Sequence, residues 1–133
     1  EEPAAVLSLA LEQSSEAPAV ARAAIVGFCE GRDVGSTALS TLMLLVSEVV
    51  TNAVTHPDAT PTESIGFSAH AYPDYIRVEV TDQGSGFTPR PRDPAQVGGG
   101  YGLYLLEKAA QGWGVTHHDE TTVWFEVSTV HTV

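Results

Sequence analysis

Apolar residues between positions 37 and 56 recur every three or four residues, the spacing of a helix with one buried side. Pro57 follows this stretch, and a proline disfavours helical geometry in the residue before it. The pattern therefore predicts a helix over 37–56. A second helix is predicted over 17–31, because Pro18 lies near its start and Gly31 stands at its end. The apolar positions of the longer helix are Leu39, Leu42, Met43, Val46, Val50, Ala53 and Val54.

A different spacing follows, in which apolar and polar residues alternate. Ile76, Val78 and Val80 alternate with polar neighbours, which predicts a strand with one apolar and one polar face. The same reasoning gives five strands, the first at an edge, and a short third helix. A stretch rich in Gly and Pro is predicted to be a long irregular loop. The strands are placed at 6–11, 64–72, 75–81, 115–118 and 122–128, the helix at 102–111, and the loop at 83–100.

Helices in the first half and hairpins in the second predict an α+β two-layer sandwich. Its sheet should be mixed but mainly antiparallel, with the helices on one face. The length suits a single domain over 1–133. The chain starts at Glu1 rather than Met, as expected of a piece cut from a longer protein.

Charge and cysteine content restrict the possible partners. The formal net charge is −11, with six basic residues. Nucleic acid is therefore an unfavourable partner, because phosphate-backbone binding depends on clustered Lys and Arg. One nucleotide needs only a few local donors and stays possible. Cys29 is the single cysteine, so no intramolecular disulfide forms; a reducing cytoplasm is the expected location. No unbroken aliphatic run is long enough to cross a bilayer.

The stretch "SEVVTNAVTH", residues 47–56, places two polar side chains inside the apolar helix. Glu48 lies roughly opposite the centre of the apolar stripe, and Asn52 only ~40° from Glu48. An exposed back face is one interpretation. The other is a wall around a polar ligand, because that side also carries small hydroxyl residues. A carboxamide oxygen can bind magnesium, and a carboxylate one turn away can act as a general base. The hydroxyl residues are Ser47, Thr51 and Thr55.

A second polar feature is "VTDQGSGF", residues 80–87. Asp82 stands at the end of the alternating strand and is followed by Gly84 and Gly86. An ordinary turn has this composition too. Alternatively, the carboxylate accepts a hydrogen bond from an adenine amino group, and the glycines let a flat base approach the backbone.

A third feature is "GGGYGLYLL", residues 98–106, in which glycines lead into a predicted helix. Free N–H groups and the helix dipole at such a terminus favour phosphate. No Gly-Lys-Ser/Thr follows, so this is not a Walker loop. The glycines do not follow a first βαβ strand, so the dinucleotide fingerprint is absent as well. A flexible linker is the alternative.

The order of the three features resembles the Bergerat-fold ATPases, the superfamily of gyrase, Hsp90, histidine kinases and MutL. The stretches match its N, G1 and G2 boxes, and the resemblance covers about residues 37–127. "SEVVTNAVTH" and the ending "TTVWFEV" are most similar to the anti-sigma-factor serine kinases of the RsbW and SpoIIAB type.

The resemblance implies ATP and Mg²⁺ as cofactors and assigns a role to each motif. Glu48 is expected to be the general base that orients the substrate hydroxyl, and Asn52 to bind magnesium. Asp82 is expected to accept a hydrogen bond from the adenine amino group. The remaining site residues shape the base pocket (Gly84 and Gly86), hold the phosphates (Gly100, Gly102 and Leu103) or support the adenine site from the last hairpin (Thr122, or Thr121 beside it).

The resemblance also implies partners. A relative of this type binds a sigma factor and phosphorylates Ser or Thr on a STAS-fold antagonist, and homodimers are common. An ATP-binding module without kinase activity and a histidine kinase ATPase domain remain alternatives. Several further residues have open or structural interpretations: Arg90 and Arg92 as phosphate ligands or solvated loop residues, His56 near the phosphates or as a helix cap, His117 and His118 as structural residues, and Trp113 and Trp124 as core.

Overall fold

The computed structural model describes residues 2–55, 64–82, 102–117 and 120–130. The loop predicted at 83–100 lies outside the described residues. Within them the chain forms helices α1 (Ala17–Cys29), α2 (Ser36–Thr55) and α3 (Gly102–Ala109), and strands β1 (Ala5–Leu11), β2 (Ile65–Ala71), β3 (Tyr75–Asp82), β4 (Gly112–His117) and β5 (Thr121–Ser128).

The strands form one sheet in the order β1-β2-β3-β5-β4. This arrangement confirms the predicted α+β class and the edge position of β1. All four described strand pairs are antiparallel, so the described sheet has no parallel pair of the kind that a mixed sheet contains. The hairpin between β2 and β3 closes where the Tyr72 N–H donates to the Tyr75 carbonyl at 2.9 Å.

Alternation along the strands gives the sheet two different faces. In β2, β3 and β5 every second residue is buried, and these positions form the core together with the inward sides of α1 and α2. Phe67 and Phe125 are the largest fully buried side chains. The intervening residues lie on the other face, called the open face here, which is partly exposed. The sheet therefore has one helix-covered face and one open face.

Helix α1 ends two residues earlier than the sequence predicted, at Cys29 rather than Gly31. Gly31 adopts φ 78°, a left-handed conformation that glycine tolerates and that commonly follows a helix end. The glycine therefore marks the turn after the helix rather than its last residue.

Helix α2 buries a wider side than its predicted stripe. Leu45 and Val49 are also buried, whereas Leu44 is 45% exposed. The reason is that α2 contacts α1, α3, β3 and β5, so that neighbours cover it over more than one direction. By length and composition Ser36–Val54 could also cross a membrane, a test that buried core helices pass as well.

The two tryptophans have different environments. Trp113 packs partly buried against the core, and its indole N–H donates to Glu107 at 3.2 Å. Trp124 lies instead on the open face, over Gly114. An added Cβ at Gly114 would lie 2.7 Å from the Trp124 Nε1. The expectation of a core position is therefore wrong for Trp124. Strand β4 begins at Gly112, three residues before its predicted start at 115, and Gly114 leaves room for the Trp124 indole.

Candidate functional site

One end of the sheet carries a row of residues that crosses all five strands. Register pairs Leu11 with Ile65, Ile65 with Asp82, Asp82 with Thr121, and Thr121 with His117. The row lies on the helix-covered face. The described chain also enters or leaves the sheet at this end, after β1, β3 and β4 and before β2 and β5. Polar side chains in this row are therefore placed next to several connecting segments.

Asp82 and Thr121 are the polar exception in the described part of this row. They are 3% and 5% exposed, and their apolar neighbours Leu11 and Ile65 are equally buried. Burying a carboxylate is costly unless partners compensate for the lost water. An ionised carboxylate only accepts hydrogen bonds, whereas a threonine hydroxyl both donates and accepts. The pair is thus chemically suited to a ligand that presents an N–H donor beside an acceptor.

Thr122, which the sequence assigned to the site before Thr121, lies on the opposite face. Its hydroxyl is 2.9 Å from that of Thr81, its register partner in β3. The structure therefore does not bring Thr122 to Asp82, and Thr121 takes that place. The alternation of buried and partly exposed residues could have predicted this. Asp82 falls at a buried position of β3, and Thr121 falls at a buried position of β5.

Glu48 and Asn52 share one flank of α2 and are both half-buried. On the α1 side, Arg22 donates from Nη1 to the Ser47 hydroxyl at 2.6 Å. Glu48 is ~100° around the helix from Ser47, and Asn52 lies ~40° further. The two side chains are thus turned away from α1. The sequence predicted Glu48 opposite the centre of the apolar stripe. Because Leu45 and Val49 are also buried, the buried side is wider than predicted, and Glu48 and Asn52 lie at its border.

The contacts of α2 connect this flank to the rest of the candidate site. Helix α2 touches β3 and β5, which carry Asp82 and Thr121, and it touches α3. Glu48 takes part in neither of the ion pairs of Arg77. It is half-buried, and a carboxylate within hydrogen-bond reach of a bound hydroxyl can accept its proton.

The glycine-rich segment is described only from the start of α3. That helix begins at Gly102, as predicted, and its first N–H groups have no acceptor within the helix. Leu103 lies in the same first turn, but its side chain is outside the described residues. So are Gly84, Gly86 and Gly100, as well as the other open assignments: His56, Arg90, Arg92, His118 and the side chain of His117.

The open face carries the strongest described charge cluster, away from Asp82. Arg77 donates to Glu79 at 2.9 Å and to Glu126 at 3.0 Å, and its guanidinium lies 4.2 Å from the centre of the Trp124 ring. Burial acts to lower the pKa of Arg77, but its hydrogen bonds and the charges of both glutamates outweigh burial and raise the pKa. The single cation is shared by two carboxylates, and the cluster lies on the face opposite to the Asp82–Thr121 pair.

Comparisons with known proteins identify the fold and the family of the chain. The chain resembles the crystal structure of the RsbU and RsbW domains of Rv1364c from Mycobacterium tuberculosis, with a TM-score of 0.72 and 22% sequence identity. The match covers 95% of this chain but only 33% of that one. No curated protein matches in the sequence comparison. The family model of the histidine kinase-like ATPase domain matches residues 11–127, and the chain belongs to that family.

Proposed function

We propose that this ATPase-family domain binds Mg-ATP and transfers the γ-phosphoryl group to a Ser or Thr hydroxyl of a STAS-fold antagonist. We further propose that it holds a sigma factor in the alternative complex. The observation that supports nucleotide binding most directly is the buried Asp82–Thr121 pair at the end of the sheet. The similarity to a structure that contains an RsbW domain supports the choice of partners.

The pair fits adenine better than guanine. The Asp82 carboxylate accepts from the exocyclic amine of adenine, and the Thr121 hydroxyl donates to a neighbouring ring nitrogen. Guanine presents a carbonyl oxygen where adenine has the amine, and a carboxylate repels it. Discrimination of this kind is strong, because a buried polar group left unmatched costs about 1–3 kcal/mol. Gly84 and Gly86 would let the base approach the backbone.

The α2 flank and the start of α3 fit the triphosphate. Asn52 offers a hard amide oxygen of the kind that magnesium accepts alongside waters and phosphate oxygens. When bound, magnesium supplies charge neutralisation between the phosphates. The N–H groups at Gly102 and Leu103 are oriented by the helix to donate to phosphate oxygens, with Gly100 before them.

Glu48 is the residue suited to activate the substrate hydroxyl. Its carboxylate accepts the hydroxyl proton while the hydroxyl oxygen bonds to the γ-phosphorus. The bond from that phosphorus to the bridging oxygen breaks, and ADP leaves with the electron pair. Because phosphoryl transfer depends mainly on positioning and electrostatics, a half-buried carboxylate on a rigid helix suits the task.

Calorimetry with Mg-ATP and Mg-GTP tests the base site. We expect the wild type to prefer Mg-ATP and Asp82→Asn to lose measurable affinity, because the amide presents a donor to the adenine amine. Asp74→Asn is the matched control, since Asp74 is exposed in the β2–β3 turn, and it should bind as the wild type does. Normal affinity in Asp82→Asn would exclude this pocket.

Transfer is tested separately with a STAS-fold protein and labelled ATP. Glu48→Ala should keep Mg-ATP affinity and lose phosphoryl transfer, with Glu16→Ala as control because Glu16 is exposed before α1. If the wild type binds ATP but phosphorylates no STAS-fold protein, the result would favour the alternative of an ATP-binding module without kinase activity. Transfer to a histidine instead would favour a histidine kinase ATPase domain.

A further inference from the structure

Helices α1 and α2 each contain a single charged residue. Among Ala17–Cys29 it is Arg22, and among Ser36–Thr55 it is Glu48. Arg22 does not pair with Glu48, yet its Nη1 lies 2.6 Å from the hydroxyl oxygen of Ser47, the residue directly before Glu48. The one cation of α1 is therefore fixed at the position next to the one anion of α2.

Helices α1 and α2 also pack against each other through apolar residues of the core. Ala21 and Ile25 of α1 are fully buried, as are Leu42 and Val46 of α2. Apolar burial is not directional, so these side chains restrict the distance between α1 and α2 more closely than they restrict a small rotation of α2 about its axis. A hydrogen bond from a guanidinium is directional and charge-assisted, and it can fix that rotation.

We propose that Arg22 is a positioning residue that sets the rotation of α2 through Ser47, and thereby the directions of Glu48 and Asn52. This inference rests on the proposed function, because it concerns the same flank of α2. The hydrogen bond has a second consequence. It keeps the guanidinium on a neutral hydroxyl, so that the cation does not occupy the Glu48 carboxylate.

A small rotation is sufficient for a large effect. Side chains lie about 5–6 Å from the axis of an α-helix, so that a rotation of about 10° moves their ends by about 1 Å. A displacement of about 1 Å can slow a positioned reaction about a hundredfold. Because Glu48 and Asn52 lie on the same flank, one rotation moves both.

The test uses Arg22→Met, Ser47→Ala and the double variant. Arg32→Met is the matched control: Arg32 follows α1, donates from Nε to the Phe28 carbonyl at 2.7 Å and covers the Phe28 ring, with no described contact to α2. The main readout is the ratio of ATP affinity with magnesium to ATP affinity without it. The second is the ¹H–¹⁵N signal of the Asn52 carboxamide in nucleotide-free protein. Urea unfolding shows that each variant is folded.

We expect each single variant to reduce the magnesium-dependent gain in affinity about tenfold, the size of effect seen when the support of a metal ligand is removed. Affinity without magnesium, which depends on Asp82, should be unchanged. The double variant should be no worse than either single one, and Arg22→Lys, which keeps a donor, should recover part of the loss. The Asn52 signal should shift in Arg22→Met and Ser47→Ala but not in Arg32→Met.

Three results would overturn the proposal: an unchanged magnesium ratio in folded Arg22→Met, an equal loss in Arg32→Met, or additive effects in the double variant. A wild type that does not bind ATP is a separate result, which refutes the proposed function. In that case the Asn52 signal still decides the inference, because it is measured without nucleotide.

Discussion

Thr121 and Thr122 are neighbours in sequence but belong to different parts of the molecule. Thr121 is buried on the helix-covered face beside Asp82. Thr122 lies on the open face, where its hydroxyl meets that of Thr81. The residue type is the same, and only the parity along β5 differs. A shift of one residue in a strand exchanges the faces. Position along β5 therefore decides which threonine lies beside Asp82 and which one pairs with Thr81 on the open face.

The same contrast holds for the two faces as a whole. The helix-covered face is apolar except at its end, where the polar pair lies. The open face carries one hydroxyl pair, the two ion pairs of Arg77 and one half-buried indole. Contacts of the second kind keep access to water, so each is expected to contribute little to the free energy of unfolding. Four experiments test this comparison.

The largest difference is expected between adjacent aromatic residues. Phe125 is fully buried, and Phe125→Ala should lower the free energy of unfolding by about 3–5 kcal/mol, because it leaves a cavity in the core. Trp124→Ala should cost clearly less, since water already reaches one side of the indole. Urea unfolding of both variants measures this, with Phe125→Leu available if Phe125→Ala does not fold. Equal costs would mean that the open face is covered like the core.

The next largest effect concerns ATP affinity. Thr121→Val keeps the shape of the side chain but removes its hydroxyl, so Mg-ATP affinity should fall about tenfold, as for the loss of one buried hydrogen-bond partner. Thr122→Val should leave Mg-ATP affinity unchanged. It should instead lower the free energy of unfolding by about 0.5–1.5 kcal/mol through loss of the hydroxyl pair. Calorimetry measures the Mg-ATP affinity of both variants, and urea unfolding measures their free energies of unfolding. A loss of affinity in Thr122→Val but not in Thr121→Val would place Thr122 in the site instead.

The sequence was sufficient for the type and order of every element of the described fold, because the apolar spacing differs between helices and strands, although β4 starts three residues before its predicted start. It was insufficient where one residue decides the outcome. The choice between Thr122 and Thr121 was open because strand limits were uncertain by one residue. Extending the parity of Val123, Phe125 and Val127 back to Thr121 would have resolved it.

Two other features were beyond reach for physical reasons. The burial of Leu45 and Val49 did not follow from the predicted apolar stripe of α2, because spacing along a helix does not tell how many neighbours cover it. The hydrogen bond from Arg22 to Ser47 joins residues 25 apart in sequence, and nothing in either helix alone indicates it. Motif order predicted Asp82 at a strand end correctly, since the motif and the alternation agree there.

A smaller effect is expected at the glycine beneath Trp124. A Cβ at Gly114 would lie 2.7 Å from the indole nitrogen, whereas one at Gly66 would lie 3.4 Å from the Thr81 Cβ. Gly114→Ala should therefore lower the free energy of unfolding by about 1 kcal/mol, at the low end for overpacking because the half-buried indole can shift. Gly66→Ala is the control and should change it less. A neutral Gly114→Ala would show that Trp124 is not held against β4.

The smallest effect is expected from the ion pairs of Arg77. Arg77→Met keeps an apolar stem over Trp124 and removes the charge, leaving Glu79 and Glu126 without their shared cation. We expect a loss of about 0.5–1 kcal/mol at low salt, because the three side chains are 27%, 34% and 21% exposed. The loss should shrink in 1 M NaCl, where screening acts over about 3 Å. Arg32→Met is the matched control, since Arg32 bonds the Phe28 carbonyl and covers the Phe28 ring, and it should show little salt dependence. A loss as large as that of Phe125→Ala, unaffected by salt, would mean that these charges are shielded from water, and the distinction between the two faces would then fail.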